Sequence, residues 1–173
     1  LMSKSGEELK EHYAKILTML SKKTGMIGEI YRGAQNKIQT PEHLRKVIQM
    51  INDTEWNGLS EDVKGDIYES LLERIAQDTK SGAGQYFTPR ALIKTIVKCV
   101  NPELDKKIVD PCCGSGGFLL AAKDFLQNKY PTMTGQQTEN LKQNTFYGTE
   151  IVPNTYRLCL MNLLLHGIGE FGG

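Results

Sequence analysis

The stretch that decides the fold is IVDPCCGSGGFL, residues 108–119. Two β-branched residues lead into an acid and a proline, small residues follow, and an apolar segment closes the stretch. This order predicts a short strand ending at Asp110, a glycine-rich turn, and a helix that starts near Gly116. The turn would then lie at the carboxyl end of a strand, which is where open α/β sheets bind their ligands.

A second strand and further helices flank this unit. TFYGTEI at residues 145–151 predicts a strand, and PNTYRLCLMNLLLHGI at 153–168 predicts a helix with proline in its first turn. TPRALIKTIVKCV at 88–100 predicts a helix upstream, and the polar residues 131–144 are interpreted as a mobile excursion. The repeated strand–helix order predicts a parallel sheet with right-handed crossovers.

The first 80 residues are predicted to be helical. Helices are expected within residues 6–23, 40–53 and 59–80, with Thr40 as the N-cap of the second, and residues 24–39 as a connection. The third helix has an apolar stripe of Val63, Ile67, Leu71 and Ile75. We therefore predict an all-helical domain at 1–80 and an α/β domain over 81–173.

Two strands do not make a stable sheet by themselves, and doubly wound domains usually have about five or more. We therefore expect the chain to be the front part of a longer protein. The predicted fold class is α/β, with a helical N-terminal domain followed by the start of a truncated Rossmann-like sheet.

Composition limits the classes of function. The chain has 173 residues and a formal charge of +1 from 21 basic and 20 acidic residues, so overall charge gives no sign of nucleic-acid binding. DNA binding would need a local patch or a partner. No apolar run approaches the roughly 20 residues of a membrane span, and no signal core is present, so we expect a cytoplasmic protein without a membrane partner.

The cysteines and histidines lack the spacing of a zinc site, and no metal is predicted. No two cysteines form a C-x-x-C pair, and we expect all four thiols to be small buried apolar groups. These residues are Cys99, Cys112, Cys113, Cys159, His12, His43 and His166.

The glycine loop itself favours one kind of ligand. Phe118 follows Gly117, where a P-loop would have Lys-Ser/Thr, and the third glycine of a dinucleotide fingerprint is missing. A pyrophosphate cradle is thus weakly supported, and a nucleoside cofactor lying against the loop is the remaining option. Glycines let a ligand approach the backbone closely, and the start of the next helix offers N–H groups to a carboxylate.

Two acids complete this interpretation. Asp110 could attract an ammonium group, and Glu150, after the second strand, could accept hydrogen bonds from both hydroxyls of a ribose, unless it is an ordinary solvated strand end. S-adenosylmethionine combines an ammonium, a carboxylate, a ribose and a sulfonium, so it fits this set of residues.

The upstream segment GQYFTPR, residues 84–90, strengthens the prediction. Thr88 and Pro89 are expected to be the N-cap and the first position of the following helix. Tyr86 and Phe87 either pack against the cofactor, with a ring near its sulfonium, or anchor the core.

GQYFTPR, VDPCCGSGGFL and YGTEIVPNTYRLCLMNLLLHGI together resemble the methylation (M) subunit of type I restriction–modification systems. Those proteins are adenine-specific DNA methyltransferases that use S-adenosylmethionine, and the match covers about residues 60–168 in order and spacing. The resemblance implies cofactor contacts from Gln85, Tyr86, Phe87, Thr88, Pro89, Arg90, Ser115, Gly116, Gly117 and Glu150. Asp110 and Gly114 belong to the same motif.

One departure from the family concerns catalysis. The family's motif Asn-Pro-Pro-Phe or Asn-Pro-Pro-Tyr is missing, since NPEL at Asn101 and DPCC at Asp110 do not match it. No catalytic residue is assigned, and the chain alone is expected not to methylate DNA. The resemblance implies a complex of two M subunits with a specificity subunit that reads DNA, and a restriction subunit.

Two other functions stay open at the level of sequence. The glycine loop could belong to a nucleotide-dependent oxidoreductase, in which case the protein would bind NAD. Alternatively, the chain could be a non-catalytic helical interaction module in which the loop serves only as a turn.

Overall fold

The computed structural model describes residue 1, residues 3–78 and residues 88–169. The chain divides into two compact units, one over Leu1–Ser60 and one over Glu61–Glu170. The segment predicted to be helical over residues 1–80 therefore contributes to both units. Within the described residues, no helix is both long enough and apolar enough to cross a membrane.

The first unit contains helices α1 (Gly6–Leu20), α2 (Gly25–Tyr31) and α3 (Pro41–Asn52). Its buried apolar side chains come from all three helices: Leu9, Leu17, Ile30 and Leu44. Thr40 is the N-cap of α3, as predicted, although its side chain makes no capping hydrogen bond. The burial of one or two leucines or isoleucines per helix holds the three helices together.

The prediction of a connection over residues 24–39 is wrong, because α2 forms there. Two glycines make the tight entry into this helix possible. Gly25 has a φ of 70°, and a Cβ on Gly28 would lie 1.8 Å from the Lys23 carbonyl oxygen. Glycines in a sequence usually indicate a loop. Here they allow the tight turn through which α2 follows closely on α1.

The second unit alternates helices and two short strands. Its elements are α4 (Glu61–Asp78), α5 (Arg90–Val100), β1 (Ile108–Asp110), α6 (Gly117–Lys129), α7 (Gly135–Gln143), β2 (Phe146–Gly148) and α8 (Pro153–Leu165). β1 and β2 pair in parallel, with Ile108 opposite Phe146 and Asp110 opposite Gly148. The parallel pairing and the α/β order of the second unit are therefore confirmed.

Two apolar clusters surround the strands. Cys113, Leu119, Leu120, Cys159, Leu163 and Ile168 form one cluster, and Ile93, Val97 and Ala122 form the other. Ile108 of β1 and Phe146 of β2 pack against both clusters. Burial of these side chains fixes the helices that flank the glycine loop.

The prediction of a mobile excursion over residues 131–144 is wrong, because α7 occupies most of it. Thr134 and Gln137 form a reciprocal capping box, in which the Gln137 N–H donates to Thr134 Oγ1 at 3.2 Å. The Gln137 side chain accepts the Thr134 N–H at 3.0 Å. The side chain of Leu141 is buried, so α7 packs against the rest of the second unit. The capping box satisfies orphan backbone donors in a segment that is otherwise polar.

The N-cap of α5 is shifted by one residue from the prediction. Pro89 is the N-cap instead of Thr88, and Arg90 is the first helical residue instead of Pro89. The Pro89 carbonyl accepts the N–H groups of Leu92 and Ile93 at 2.9 and 3.1 Å, while its ψ of 134° is not helical. The first intrahelical bonds therefore begin at Pro89.

The apolar stripe of α4 is exposed at the positions whose side chains the structure describes. Val63, Ile67 and Leu71 are 42%, 46% and 52% exposed, and the side chain of Ile75 lies outside the description. Instead, α4 packs on α8 at Gly65, where the His166 ring fills the space a Cβ would take. A glycine allows this close approach, and the periodicity of the apolar residues does not reveal it.

This contact leads to a prediction of stability. A Cβ on Gly65 would lie 2.3, 2.4 and 2.5 Å from three atoms of the buried His166 ring. Gly65→Ala is expected to destabilise the chain by about 1–3 kcal/mol, although helix propensity alone would stabilise it by about 1 kcal/mol. Urea unfolding followed by circular dichroism measures the change.

The matched control is Gly135→Ala in α7, where the added Cβ would meet no atom within 4 Å. This control is expected to be neutral or slightly stabilising. A second substitution, His166→Ala, is expected to remove most of the Gly65→Ala penalty when the two are combined. Equal stability of Gly65→Ala and Gly135→Ala would contradict the close contact.

Candidate functional site

Backbone hydrogen bonds define the loop between β1 and α6. The Cys112 N–H donates to Asp110 Oδ1 at 3.0 Å, and the Gly116 N–H donates to the Cys113 carbonyl at 2.7 Å. The Cys113 N–H donates to the Thr149 carbonyl at 3.0 Å, beyond the end of β2. The loop is therefore fixed both internally and against the chain that follows β2.

Two glycines of the loop have a left-handed backbone, with different surroundings. Gly114 has a φ of 54°, and a Cβ there would meet no atom within 4 Å. Gly116 has a φ of 87°, is buried, and would place a Cβ 3.1 Å from Cys159 Sγ. Gly114 thus leaves the loop backbone open to a ligand, whereas Gly116 packs the loop onto α8.

Helix α6 begins immediately after this turn, at Gly117. The N–H groups in the first turn of a helix have no acceptor within the helix, and the helix dipole is positive at this end. The start of α6 therefore offers hydrogen-bond donors to an anionic group such as a carboxylate.

The two predicted acids lie at the same end of the neighbouring strands. Asp110 ends β1, and its carbonyl accepts the Thr149 N–H at 3.0 Å, which brings it next to the segment that contains Glu150. Burial raises the pKa of the Cys113 thiol most, and the carboxylates of both acids raise it further. Asp110 therefore directly precedes the loop, and Glu150 follows Thr149, whose carbonyl accepts the Cys113 N–H.

Glu150 also has a structural partner. Its Oε1 accepts the Val152 N–H at 2.7 Å, one residue before α8 begins. The carboxylate thus holds the turn between β2 and α8. Its second oxygen is not needed for that contact and can accept a hydrogen bond from a ligand.

Some of the predicted site residues line one cavity of about 190 Å³. This cavity lies where α4, α5, α6 and α8 meet the glycine loop. The predicted residues that line it are Thr88, Arg90, Gly114, Ser115 and Gly117. Asp110 instead lines a neighbouring groove of about 820 Å³ along β1, and Glu150 lines neither. Pro89 is exposed, and Gln85, Tyr86 and Phe87 lie outside the described residues.

Arg90 is tied to α4. Its guanidinium nitrogens lie 2.7 Å from a Glu69 oxygen and 2.8 Å from a Glu73 oxygen, although neither contact has the direction of a hydrogen bond. Two carboxylates therefore balance this cation. Arg90 joins the start of α5 to α4, which shapes one wall of the cavity.

The cavity residues that the sequence analysis did not assign to the site include Asn162 of α8 and His166, the C-cap of that helix. Asn162 is completely buried, and its Nδ2 donates to the Ser115 carbonyl at 2.9 Å. His166 is 5% exposed and packs against Gly65. An asparagine within the apolar run LCLMNLLL is a signal that could have pointed to a buried polar contact.

The prediction that all four cysteines are buried holds for two of them. Cys113 and Cys159 are buried with their sulfurs 3.8 Å apart, and burial raises the pKa of both thiols. Cys99 and Cys112 are exposed, which contradicts the prediction.

Taken as a class, this is an α/β unit with a glycine loop and two acids at the carboxyl ends of parallel strands. Comparison with known proteins agrees with that class. Residues 59–171 match the model of the family described as N-6 DNA Methylase. The chain belongs to this family.

Curated relatives make the relationship more specific. The methylase subunit of the type I restriction enzyme StySJI from Salmonella typhimurium is 36% identical over 176 residues, which include 97% of this chain. The EcoKI methylase subunit from Escherichia coli shows the same identity and coverage. The resemblance to type I modification subunits is thus confirmed. The chain spans about a third of the length of these relatives, 33% in both cases.

A solved structure shows the same relationship. A modification subunit assigned to a type I restriction enzyme of Vibrio vulnificus superposes with a TM-score of 0.75 and 28% identity. The superposition covers 90% of this chain and 33% of the other.

Proposed function

We propose that this chain carries the helical region and much of the cofactor site of an adenine-specific DNA methyltransferase from a type I restriction–modification system. Membership of the N-6 DNA Methylase family and the 36% identity to type I methylase subunits support this proposal. The single observation that carries it is the glycine loop at the carboxyl end of β1, with Gly114 open to a ligand, Asp110 directly before the loop and Glu150 just after the paired strand β2.

The residues present fit S-adenosylmethionine, which would supply the methyl group. A Cβ at Gly114 would occupy the space that a ligand needs to reach the loop backbone. The first N–H groups of α6 suit the cofactor's carboxylate, and Asp110 suits its ammonium. The unused oxygen of Glu150 suits a ribose hydroxyl, as acids after the second strand do in dinucleotide folds.

The upstream segment belongs to the same proposal. Thr88 and Arg90 line the cavity with the loop, so the segment of residues 85–90 reaches the site at its described end. We propose that Gln85, Tyr86, Phe87 and Pro89 contribute the remaining contacts. The Arg90 cation would act through its ion pairs with α4, by holding the wall of the cavity in place.

We further propose that β1, α6 and β2 belong to a Rossmann-like sheet. Their parallel pairing and the helical crossover between them support this architecture. A cytoplasmic location is part of the same proposal, because the substrate is DNA.

Methyl transfer itself requires groups beyond those of the cofactor site. The adenine amine is a weak nucleophile, and the Asn-Pro-Pro-aromatic motif that would accept its hydrogens does not occur in the 173 residues. We therefore propose that this chain binds the cofactor and does not methylate DNA alone. The partners would be a second modification subunit, a specificity subunit that reads the DNA, and a restriction subunit.

Calorimetric titration tests the proposal. The chain and the complete gene product are each titrated with S-adenosylmethionine and, as a comparison, with NAD. We expect saturable heat with S-adenosylmethionine and none with NAD. We also expect the complete gene product with its specificity subunit, but not the chain alone, to transfer a labelled methyl group to adenine in DNA. Binding of NAD in place of S-adenosylmethionine by the complete gene product would overturn the proposal in favour of an oxidoreductase.

A further inference from the structure

The peptide between Ser115 and Gly116 is held at both ends. Its carbonyl accepts Nδ2 of Asn162 at 2.9 Å, and its N–H donates to the Cys113 carbonyl at 2.7 Å. Asn162 comes from α8, 46 residues beyond Gly116 in the sequence, and is completely buried. A side chain from a distant helix therefore sets the orientation of a peptide within the glycine loop.

This peptide needs such a restraint because of Gly116. Rotating the peptide by half a turn would change the φ of Gly116 from 87° to a negative value of similar size. Glycine adopts negative and positive φ about equally readily, so the loop sequence alone does not select between the two orientations. The flipped peptide would turn the Ser115 carbonyl away from α8 and break the contact between Gly116 and Cys113.

The chemistry of the amide fixes how Asn162 is oriented. Only its NH₂ group can donate to a carbonyl, so Oδ1 must point the other way. Among the residues that the structure describes, buried Oδ1 has no hydrogen-bond partner, and neither has Nε2 of His166, the C-cap of α8. Both residues line the cavity beneath the loop. An unpaired buried acceptor has a free-energy cost, which suggests that this asparagine is kept for its contact with the loop.

We propose that Asn162 is a positioning residue that locks the Ser115–Gly116 peptide in the orientation required for cofactor binding. It acts through the loop backbone and does not itself contact the reacting atoms. The effect on cofactor affinity rests on the proposed function, whereas the effect on loop conformation does not.

Asn162→Asp gives the sharpest test because it has nearly the same shape. An ionised aspartate is an acceptor only and repels the Ser115 carbonyl, whereas a protonated aspartate can donate to it. Burial raises the pKa of a carboxyl group, so protonation should occur within an accessible pH range. The other charged or titratable groups that line the cavity are Asp66, Glu69, Arg90, Lys94, Cys112, Cys113, Asp124 and His166. Each pH point is therefore expressed as the ratio of variant to wild-type affinity.

We expect Asn162→Asp to bind S-adenosylmethionine about 10-fold more weakly than wild type near pH 8, a loss of about 1.4 kcal/mol. The ratio should return towards one as the pH falls to about 5.5, because the carboxyl regains its proton. Asn162→Leu, which cannot donate at any pH, should stay weak throughout. A ratio for Asn162→Asp that does not change with pH, or wild-type affinity in both variants, would overturn the proposal.

A second measurement does not depend on the cofactor. In the ligand-free protein, the amide NMR signals of Gly116 and Gly117 should be single in wild type and broadened or doubled in Asn162→Asp near pH 8. They should sharpen again at low pH. If wild type binds no S-adenosylmethionine but these signals respond as described, the proposed function fails while the role of Asn162 stands. Signals in the variant that are unchanged from wild type would refute the locking role.

Discussion

Gly116→Ala is expected to weaken S-adenosylmethionine binding about 100-fold and to destabilise the chain by about 2–4 kcal/mol. An alanine at a φ of 87° costs about 1–2 kcal/mol, because its Cβ approaches the carbonyl oxygen. The new Cβ would also lie 3.1 Å from Cys159 Sγ and 3.4 Å from Leu163 Cδ2, inside a closely packed cluster. To relieve both strains the loop must move, and the start of α6 must move with it.

Gly114→Ala is the matched control for the stability measurement. Gly114 lies in the same loop with a φ of 54°, but a Cβ there would meet nothing within 4 Å. Its stability loss is expected to be about 1 kcal/mol, from backbone strain alone. Urea unfolding of both variants separates the packing contribution from the backbone contribution. If Gly114→Ala were as destabilising as Gly116→Ala, the packing of Gly116 against α8 would not explain the result.

Glu150→Ala is expected to weaken S-adenosylmethionine binding about 30-fold, which corresponds to roughly 2 kcal/mol. The proposed carboxylate contacts to the ribose hydroxyls are charge-assisted hydrogen bonds, worth about 1.5–3 kcal/mol each. The same change removes the acceptor of the Val152 N–H at the start of α8, so a modest loss of stability should accompany it. Calorimetry and urea unfolding measure the two effects separately.

Glu150→Gln distinguishes the two roles of this side chain. Glutamine keeps an oxygen that can accept the Val152 N–H, but it has no negative charge and only one acceptor oxygen. We expect wild-type stability with an affinity reduced about 10-fold. Glu139→Ala, at an exposed site on α7, controls for the loss of a surface carboxylate. Full affinity in Glu150→Gln would show that Glu150 only holds the turn.

The elements around the glycine loop were predicted correctly. β1, the glycine loop and α6 follow one another within about 20 residues, and each is specified by residues inside it. The Gly116 turn and the parallel pairing with β2 also follow from that pattern. By contrast, α2 and α7 were missed because glycines and polar residues usually indicate loops, whereas here they provide a tight entry and a capping box.

Contacts between distant segments explain the remaining errors. The apolar periodicity of α4 predicts a buried face of Val63, Ile67 and Leu71, but α4 meets α8 at Gly65. Nothing in α4 alone shows that a histidine about 100 residues later needs that space. In the same way, the loop sequence alone does not identify Asn162 as the hydrogen-bond partner of Ser115. A single asparagine in the apolar helix α8 indicates only that its side chain has some polar partner.

The exposed side of β1 has a practical consequence for handling the protein. Within the described residues, β2 is the only strand paired with β1. Val109 is 65% exposed, and Val100, which lines the same groove, is 71% exposed. A strand edge bordered by apolar side chains is a template for pairing between molecules. Concentrated solutions of the isolated chain should therefore tend to aggregate through this edge, and light scattering belongs alongside every titration described above.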